Sequence, residues 1–336
     1  MKKLFIICIF IVLIIASGLV YFNIQTGPYD SSSNKQVLVD IKKGSSLDSL
    51  SQTLFEKELI KNKLFFKITA KVNNMDTGIK AGLYNINQSR SNKEILDILN
   101  SGRVYKDLVK ITIPEGFEAH QIADRISQLG LGNKDKFMDL VNNPVNFSDD
   151  YKFLNEGDIL SLEGYLFPDT YFFDKKYSEK DIINVMLKRF DEIYTDEYKK
   201  VQDEKNLTLN QVISLASIIE REARLDKERS VIAGVFYNRM NINMPLQSCA
   251  TVQYILGHRK SNLSFDDIRI DSPYNTYKNS GLPPGPIASP GKKSIEAALY
   301  PQNVDYLYFV AKKDGSHSFS KTYNDHLKRK VENESE

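Results

Sequence analysis

Behind Met1-Lys2-Lys3, the run from Leu4 to Phe22 holds 19 apolar or small residues and no charge. A helix needs about 20 such residues to cross the hydrocarbon core of a bilayer. The run therefore divides the chain into a transmembrane anchor and a domain-bearing remainder. The two lysines favour a cytoplasmic N-terminus, which puts everything after Phe22 outside the cell. A cleaved signal peptide competes with this reading, because Ala16-Ser17-Gly18 offers small residues at a cleavage site. The apolar run continues past that point through Leu19, Val20, Tyr21 and Phe22, which favours an uncleaved anchor. Residues 23–35, NIQTGPYDSSSNK, are polar and read as a flexible tether.

The 336 residues leave room for two or three domains after the anchor. A net charge of +2 and the lack of any long Lys/Arg run argue against a nucleic-acid partner. Of the two cysteines, Cys8 lies in the apolar run, so it cannot plausibly pair with Cys249. There is no CxxC and no HExxH, and no cofactor or metal is expected. His317 and His326 suit hydrogen bonding better than metal ligation. The chain has no Trp, so stacking on a sugar would fall to its Tyr and Phe side chains.

Two segments share a strand–turn–helix pattern: VDIKKGSSLDSLSQTL from Val39 and ITIPEGFEAHQIADRI from Ile111. Duplication and coincidence both account for it. Between them, Ser91-x-x-Glu94 ahead of Ile95, Leu96, Ile98 and Leu99, with Gly102 behind, predicts a short helix opened by a capping box and closed by glycine. Residues 36–130 read as a small α+β module suited to binding or spacing. Further on come a dense aromatic segment over 162–173, a long helical stretch from Leu207 to about Met240, and a Pro/Gly-stiffened loop over 272–291. Asp314-Gly315 predicts a hairpin turn.

Within LNQVISLASIIEREAR (209–224), Leu209, Val212, Ile213, Leu215, Ala216, Ile219 and Ala223 fall on one helical arc. Gln211, Ser214, Ser217, Arg221, Glu222 and Arg224 fall opposite or beside it. Glu220 follows the 4-3-4-3 spacing of the apolar set and lies near one edge of its arc. A carboxyl group partly removed from water holds its proton more tightly, which suits a general acid. A surface ion pair with Arg224 at i+4 explains the position equally well. Glu222, on the polar side, is expected to stay an ordinary carboxylate.

At these residues the chain resembles the YceG-like (MltG) family of endolytic murein transglycosylases. The resemblance rests on IPEGF (113–117), EGYLFPDTY (163–171), LASIIEREA (215–223), VFYNRM (235–240), LQS-x-x-TVQY (246–254), YNTY-x-x-x-GLPPGPIASPG (274–291) and YLYFVA…H-x-F-x-x-TY-x-x-H (306–326). It implies an α+β protein: a cytoplasmic 1–3, a transmembrane helix at 4–22, a tether at 23–35, a LysM-like module at 36–130, a mixed α/β catalytic domain at 131–330, and a tail at 331–336. One departure is visible. Many relatives carry Asp-Pro after the LQS segment, where this chain has Cys249-Ala250. The free thiol of Cys249 is expected to be buried.

The resemblance implies cleavage between N-acetylmuramic acid and N-acetylglucosamine without water. Glu220 protonates the glycosidic oxygen, its carboxylate takes the proton of the muramyl C6 hydroxyl, and O6 closes on C1 to leave a 1,6-anhydro end. One acid suffices, because the substrate supplies its own nucleophile; a hydrolase generally shows two cooperating carboxylates. Glu163 and Asp169 either orient substrate or hold their aromatic loop. Tyr274, Asn275 and Tyr277 are expected to line the cleft, with Gln247, Ser248 and His317 as further sugar contacts. Expected partners are peptidoglycan glycan strands, the membrane through a single pass, and the strand-synthesising machinery. The alternatives are a non-catalytic, membrane-anchored peptidoglycan-binding scaffold and a metal-dependent hydrolase built on the histidines.

Overall fold

The structure, a computed structural model, describes residue 10 and residues 16–102, 108–155, 158–260 and 262–335. Most of the expected anchor, with Cys8, lies outside the described residues. Residues 16–26 are helical. Among the described residues no helix is long and apolar enough to cross a membrane. The chain forms two compact units, divided after Leu108.

In the first unit the order is β1 (Gln36–Ile41), α1 (Leu47–Glu56), α2 (Lys63–Val72), β2 (Gly82–Asn87) and α3 (Asn92–Ser101). β1 and β2 pair antiparallel, with Val39 opposite Tyr84 and Ile41 opposite Gly82. Alternation along each strand turns Val39, Ile41, Tyr84 and Ile86 onto one face, where they meet Leu50, Leu54, Phe66, Ile95, Leu96 and Leu99 in a single core. Side chains cap the helices: Ser46 accepts from Ser49 N, and Asn62 from Leu64 N. Around α3 the predicted capping box of Ser91 and Glu94 is present, and Gly102 closes the helix in the left-handed region at φ 68°. The expected flexible tether is in part ordered. Its first residues continue the helix through residue 26, Tyr21 and Phe22 flank the Phe65 ring, and Asp30 N and Ser33 Oγ both donate to Gln88.

The second unit begins with β3 (Leu108–Thr112), so the strand–turn–helix segment at Ile111 packs there and not in the first unit. The expected module boundary near residue 130 does not coincide with this division. β3 pairs with β4 (Thr170–Asp174); α4 (Ala119–Gln128) and α5 (Lys134–Val141) come between them in sequence, and α6 (Glu179–Ile193) and α7 (Asp196–Glu204) follow. Next come α8 (Leu209–Glu222), α9 (Arg229–Asn241), α10 (Cys249–Leu256) and α11 (Lys292–Leu299). The predicted hairpin of β5 (Tyr308–Ala311) and β6 (His317–Ser320) follows, closed through Gly315 N to Lys312 O. The chain ends in α12 (Tyr323–Ser335).

Two expectations about the central helix are corrected. The stretch from Leu207 to Met240 is not one helix: Ala223 is extended at ψ 121°, a 3-10 turn covers Asp226–Glu228, and α9 starts afresh. No Gly or Pro marks the break. Arg229 folds back onto α8, so tertiary contacts override a helix-compatible sequence. Nor does α8 have a solvent face. It packs against α7, α9, α10 and α11, and every residue from Val212 to Ile219 is buried, Ser214 and Ser217 included. Ser217 fits because its hydroxyl is paired: it donates to Ser214 O at 2.7 Å and accepts from Ile287 N at 3.0 Å.

Candidate active site

α8 is a buried post whose last turn surfaces among loops. Its three final residues, Glu220, Arg221 and Glu222, point to three different neighbours.

Glu220 faces the start of α11. Its side chain is 7% exposed. One oxygen accepts from Arg229 Nη1 at 3.2 Å, and the other from Gly291 N at 3.0 Å and Ser294 Oγ at 2.8 Å. Arg229 also binds Ser294 Oγ at 2.6 Å and Asp226 at 3.1 Å. The alternative partner, Arg224, is exposed and does not take this carboxylate. Glu220 is removed from water as the helical count implied, and three donors meet its carboxylate there.

A second carboxyl stands beside it. Pro114-Glu115-Gly116, between β3 and α4, is clamped to the 289–291 loop by Gly116 N to Ser289 O and Ser289 N to Phe117 O, both 2.8 Å. Gly116 takes φ +74°, and a Cβ there would lie 3.6 Å from Glu220 Cγ. A Cβ on Gly291 would collide with the Glu115 carboxyl, so only glycine allows this approach. Glu115 is exposed overall. Even so, partial burial first, and the Glu220 charge second, push its carboxyl above the usual range; Arg229 and Lys293 oppose them.

Arg221 points to the N-terminus of α4, where its 4% exposed side chain pairs with Glu118 at 2.9 Å. There Glu163, deeply buried, accepts Ala119 N through both oxygens at 3.0 and 3.1 Å. Burial pushes Glu163 up to about 8, with the Ala119 N–H opposing. Glu163 therefore caps a helix.

Glu222 contradicts its expectation as an ordinary carboxylate. It reaches the N-terminus of α10, accepting from Ser248 Oγ at 2.5 Å. Burial raises its pKa, against the opposing pull of Ser248, His317 and the Ala250 N–H. His317 closes this side from β6, its Nδ1 held by Glu228 at 2.8 Å. Tyr277 lies 3.0 Å from Cys249 Sγ, and its hydroxyl is pushed up by burial. Cys249 is exposed, not buried as expected: opening α10 at its first position, it stands outside the core.

The residues expected to contact sugar thus separate. Ser248, Tyr277 and His317 collect around Glu222, with Gln247 exposed alongside at φ 48°. Tyr274 packs tilted against Tyr254 with ring centres 5.1 Å apart, on the Glu163 side. Asn275 is fully buried, which corrects its expected place in the lining. Its amide donates to Ile268 O and Ile270 O, and its oxygen accepts from Tyr277 N, so it shapes the loop. Asp169 pairs with Arg189 at 2.8 Å on the β4 side, away from this constellation. Sequence reasoning missed Glu115 and Arg229. IPEGF was visible as a motif, but nothing in it announces that its Glu meets Glu220.

Residues 39–332 match the YceG-like family. The chain belongs to the YceG-like family. Among its relatives is the endolytic murein transglycosylase of Bacillus subtilis (strain 168), 36% identical over 335 residues, covering 95% of this chain and 90% of that protein. The endolytic murein transglycosylase of Streptococcus pneumoniae serotype 2 is also 36% identical, over 92% of this chain, which spans 61% of the pneumococcal protein's length. A crystal structure of a yceG-like protein from Listeria monocytogenes superposes with a TM-score of 0.62 at 37% identity, over 89% of this chain and all of that one. In the YceG-like frame, α8 and the loops at 114–117, 246–250 and 289–291 form one constellation within a single compact unit.

Proposed function

We infer that this chain is an endolytic murein transglycosylase, a lyase that cuts peptidoglycan glycan strands and leaves 1,6-anhydro-muramyl ends. The observation that carries the reading is the carboxylate-bearing last turn of α8, held among family-specific loops in a chain that matches named transglycosylases over nearly its whole length. Glu220 is the acid/base. Its proton goes to the glycosidic oxygen as the C1–O4 bond breaks. O6 of the muramyl residue closes on C1, and the C6 hydroxyl proton returns to a carboxylate. No water enters. Arg229, Gly291 N and Ser294 fix the Glu220 carboxylate in one orientation, the preorganisation that proton transfer needs. A groove of about 770 Å³ lies between β3 and α4, lined by Lys110, Thr112, Phe117, Gln121 and Arg125; Glu220 and its partners are not among its lining residues.

The burial of Glu222 at the end of α8, which raises its proton affinity against the opposing pull of Ser248, favours a second reading, in which Glu222 is the acid. Mass analysis of products from purified glycan strands separates the two. Glu220→Gln is expected to abolish anhydro ends while Glu222→Gln keeps them; the reverse result transfers the role to Glu222. Anhydro ends that persist in both variants would move the chemistry to another residue, and a wild type that makes none would leave a binding scaffold.

The uncharged run at 4–22 supports a single-pass anchor with a cytoplasmic N-terminus and the catalytic unit outside the membrane. Strand–helix–helix–strand order with antiparallel pairing supports a LysM-like first unit for glycan contact. Action beside the strand-synthesising machinery, terminating or releasing nascent chains, follows from an anchored endolytic enzyme.

A further inference from the structure

The carboxylate of Glu220 is fully engaged: one oxygen is held by Arg229, the other by Gly291 N and Ser294 Oγ. Its neighbour is not. Among the described residues Glu115 makes no hydrogen bond or ion pair through its carboxyl, and it faces solvent. Both carboxyls converge on Gly291. Glu220 accepts the Gly291 N–H, and Glu115 occupies the space that a side chain at 291 would take. This approach is built into the backbone. The reciprocal bonds among Gly116, Phe117 and Ser289 hold the 114–117 loop on the 289–291 loop.

We propose that Glu115 is a second catalytic carboxyl, which touches the glycan and takes the proton of the muramyl C6 hydroxyl while Glu220 protonates the leaving oxygen. The proposal rests on the assignment of Glu220 as the acid. The step balances. Glu220 gives one proton to O4 as C1–O4 breaks, O6 forms its bond to C1, and the O6 proton passes to Glu115. The two carboxyls end with their protonation exchanged, and proton exchange with solvent, which reaches the exposed Glu115, restores the starting state. The groups facing Glu115 are Glu220 and Asp226, which raise its proton affinity, and Arg229 and Lys293, which lower it. With burial they leave it above an ordinary carboxylate, as a base for a sugar hydroxyl requires.

The test uses the full-length protein and purified glycan strands, with kcat, KM and the pH profile measured for wild type, Glu115→Gln and Glu115→Asp. A positioned acid or base contributes about 10²–10⁴-fold. Glu115→Gln is therefore expected to lower kcat by at least about 100-fold, to leave KM within about threefold, and to remove one limb of the kcat–pH profile. Glu115→Asp is expected to restore part of kcat and the missing limb. Unchanged kcat and pH profile in Glu115→Gln would overturn the proposal. So would a rise in KM alone, or a loss that Glu115→Asp does not relieve. If wild type itself makes no anhydro ends, the assigned reaction fails first and takes the proposal with it.

Discussion

Arg229→Met tests whether the site is held by a buried ion pair. Arg229 and Glu220 are 9% and 7% exposed, and their contact is 3.2 Å. Methionine replaces the length of arginine but not its charge, leaving the Glu220 carboxylate buried with only Gly291 N and Ser294 Oγ. Removing one partner of a buried pair costs about 3–5 kcal/mol, because the other charge is left uncompensated. At roughly 2–4 °C per kcal/mol for a unit of this size, the midpoint should fall by about 6–20 °C. Arg229 also binds Asp226. That carboxylate is 54% exposed, so solvent compensates it and Asp226→Asn should change little. Adding Glu220→Gln to Arg229→Met neutralises the stranded group, and the double variant should melt above Arg229→Met alone. Thermal unfolding of wild type, Arg229→Met, Glu220→Gln, the double variant and Asp226→Asn by circular dichroism reads this directly. If Arg229→Met melts within about 2 °C of wild type, or if Glu220→Gln adds its full cost on top, the pair does not carry the load assigned to it.

Other consequences are open to measurement. Glu163 is raised from 4.5 to about 8, so the folded state binds its proton more tightly than the unfolded chain. The stability this gives is complete below pH 4.5 and disappears as pH rises through about 8; Glu163→Gln should flatten this part of the stability–pH curve while keeping the helix cap through its amide oxygen. Ser248→Ala removes a hydrogen bond that lowers the Glu222 pKa, so carbon-13 titration of that carboxyl should move upward, and a static titration would show the short contact to be inconsequential. Asn275→Ala should cost about 2–3 kcal/mol through its three lost hydrogen bonds and loosen the 268–277 loop, with glycan affinity falling only as far as the loop moves. A large affinity loss in a protein with unchanged melting would return Asn275 to the cleft.

Local signals in the sequence translated well. The capping box at Ser91 and Glu94 and the hairpin turn at Asp314-Gly315 depend on a few adjacent residues, and both stand in the structure. Periodicity served α8 less well. Counting placed Glu220 within an apolar arc and Glu222 on a polar one, which presupposes a helix with one wet side. α8 is packed on every side, so the count could not tell which carboxylate meets which environment. Glu222 is desolvated because α10 and β6, remote in sequence, close over it. The break at Ala223 and the meeting of Glu115 with Glu220 were illegible for the same reason. Neither has a local marker, and both are set by contacts between segments more than a hundred residues apart or by one arginine folding back.

The wall of the Glu222 pocket has a bearing on timing. Its last stone, His317, sits in a hairpin close to the end of the chain, and Glu228 holds it from the start of α9. A polypeptide that leaves the ribosome N-terminus first presents α8 long before that hairpin exists. Until the final strands arrive, the carboxylates at the end of α8 face an unfinished enclosure. The enclosure of Glu222 therefore closes only once β6, made well after α8, has docked.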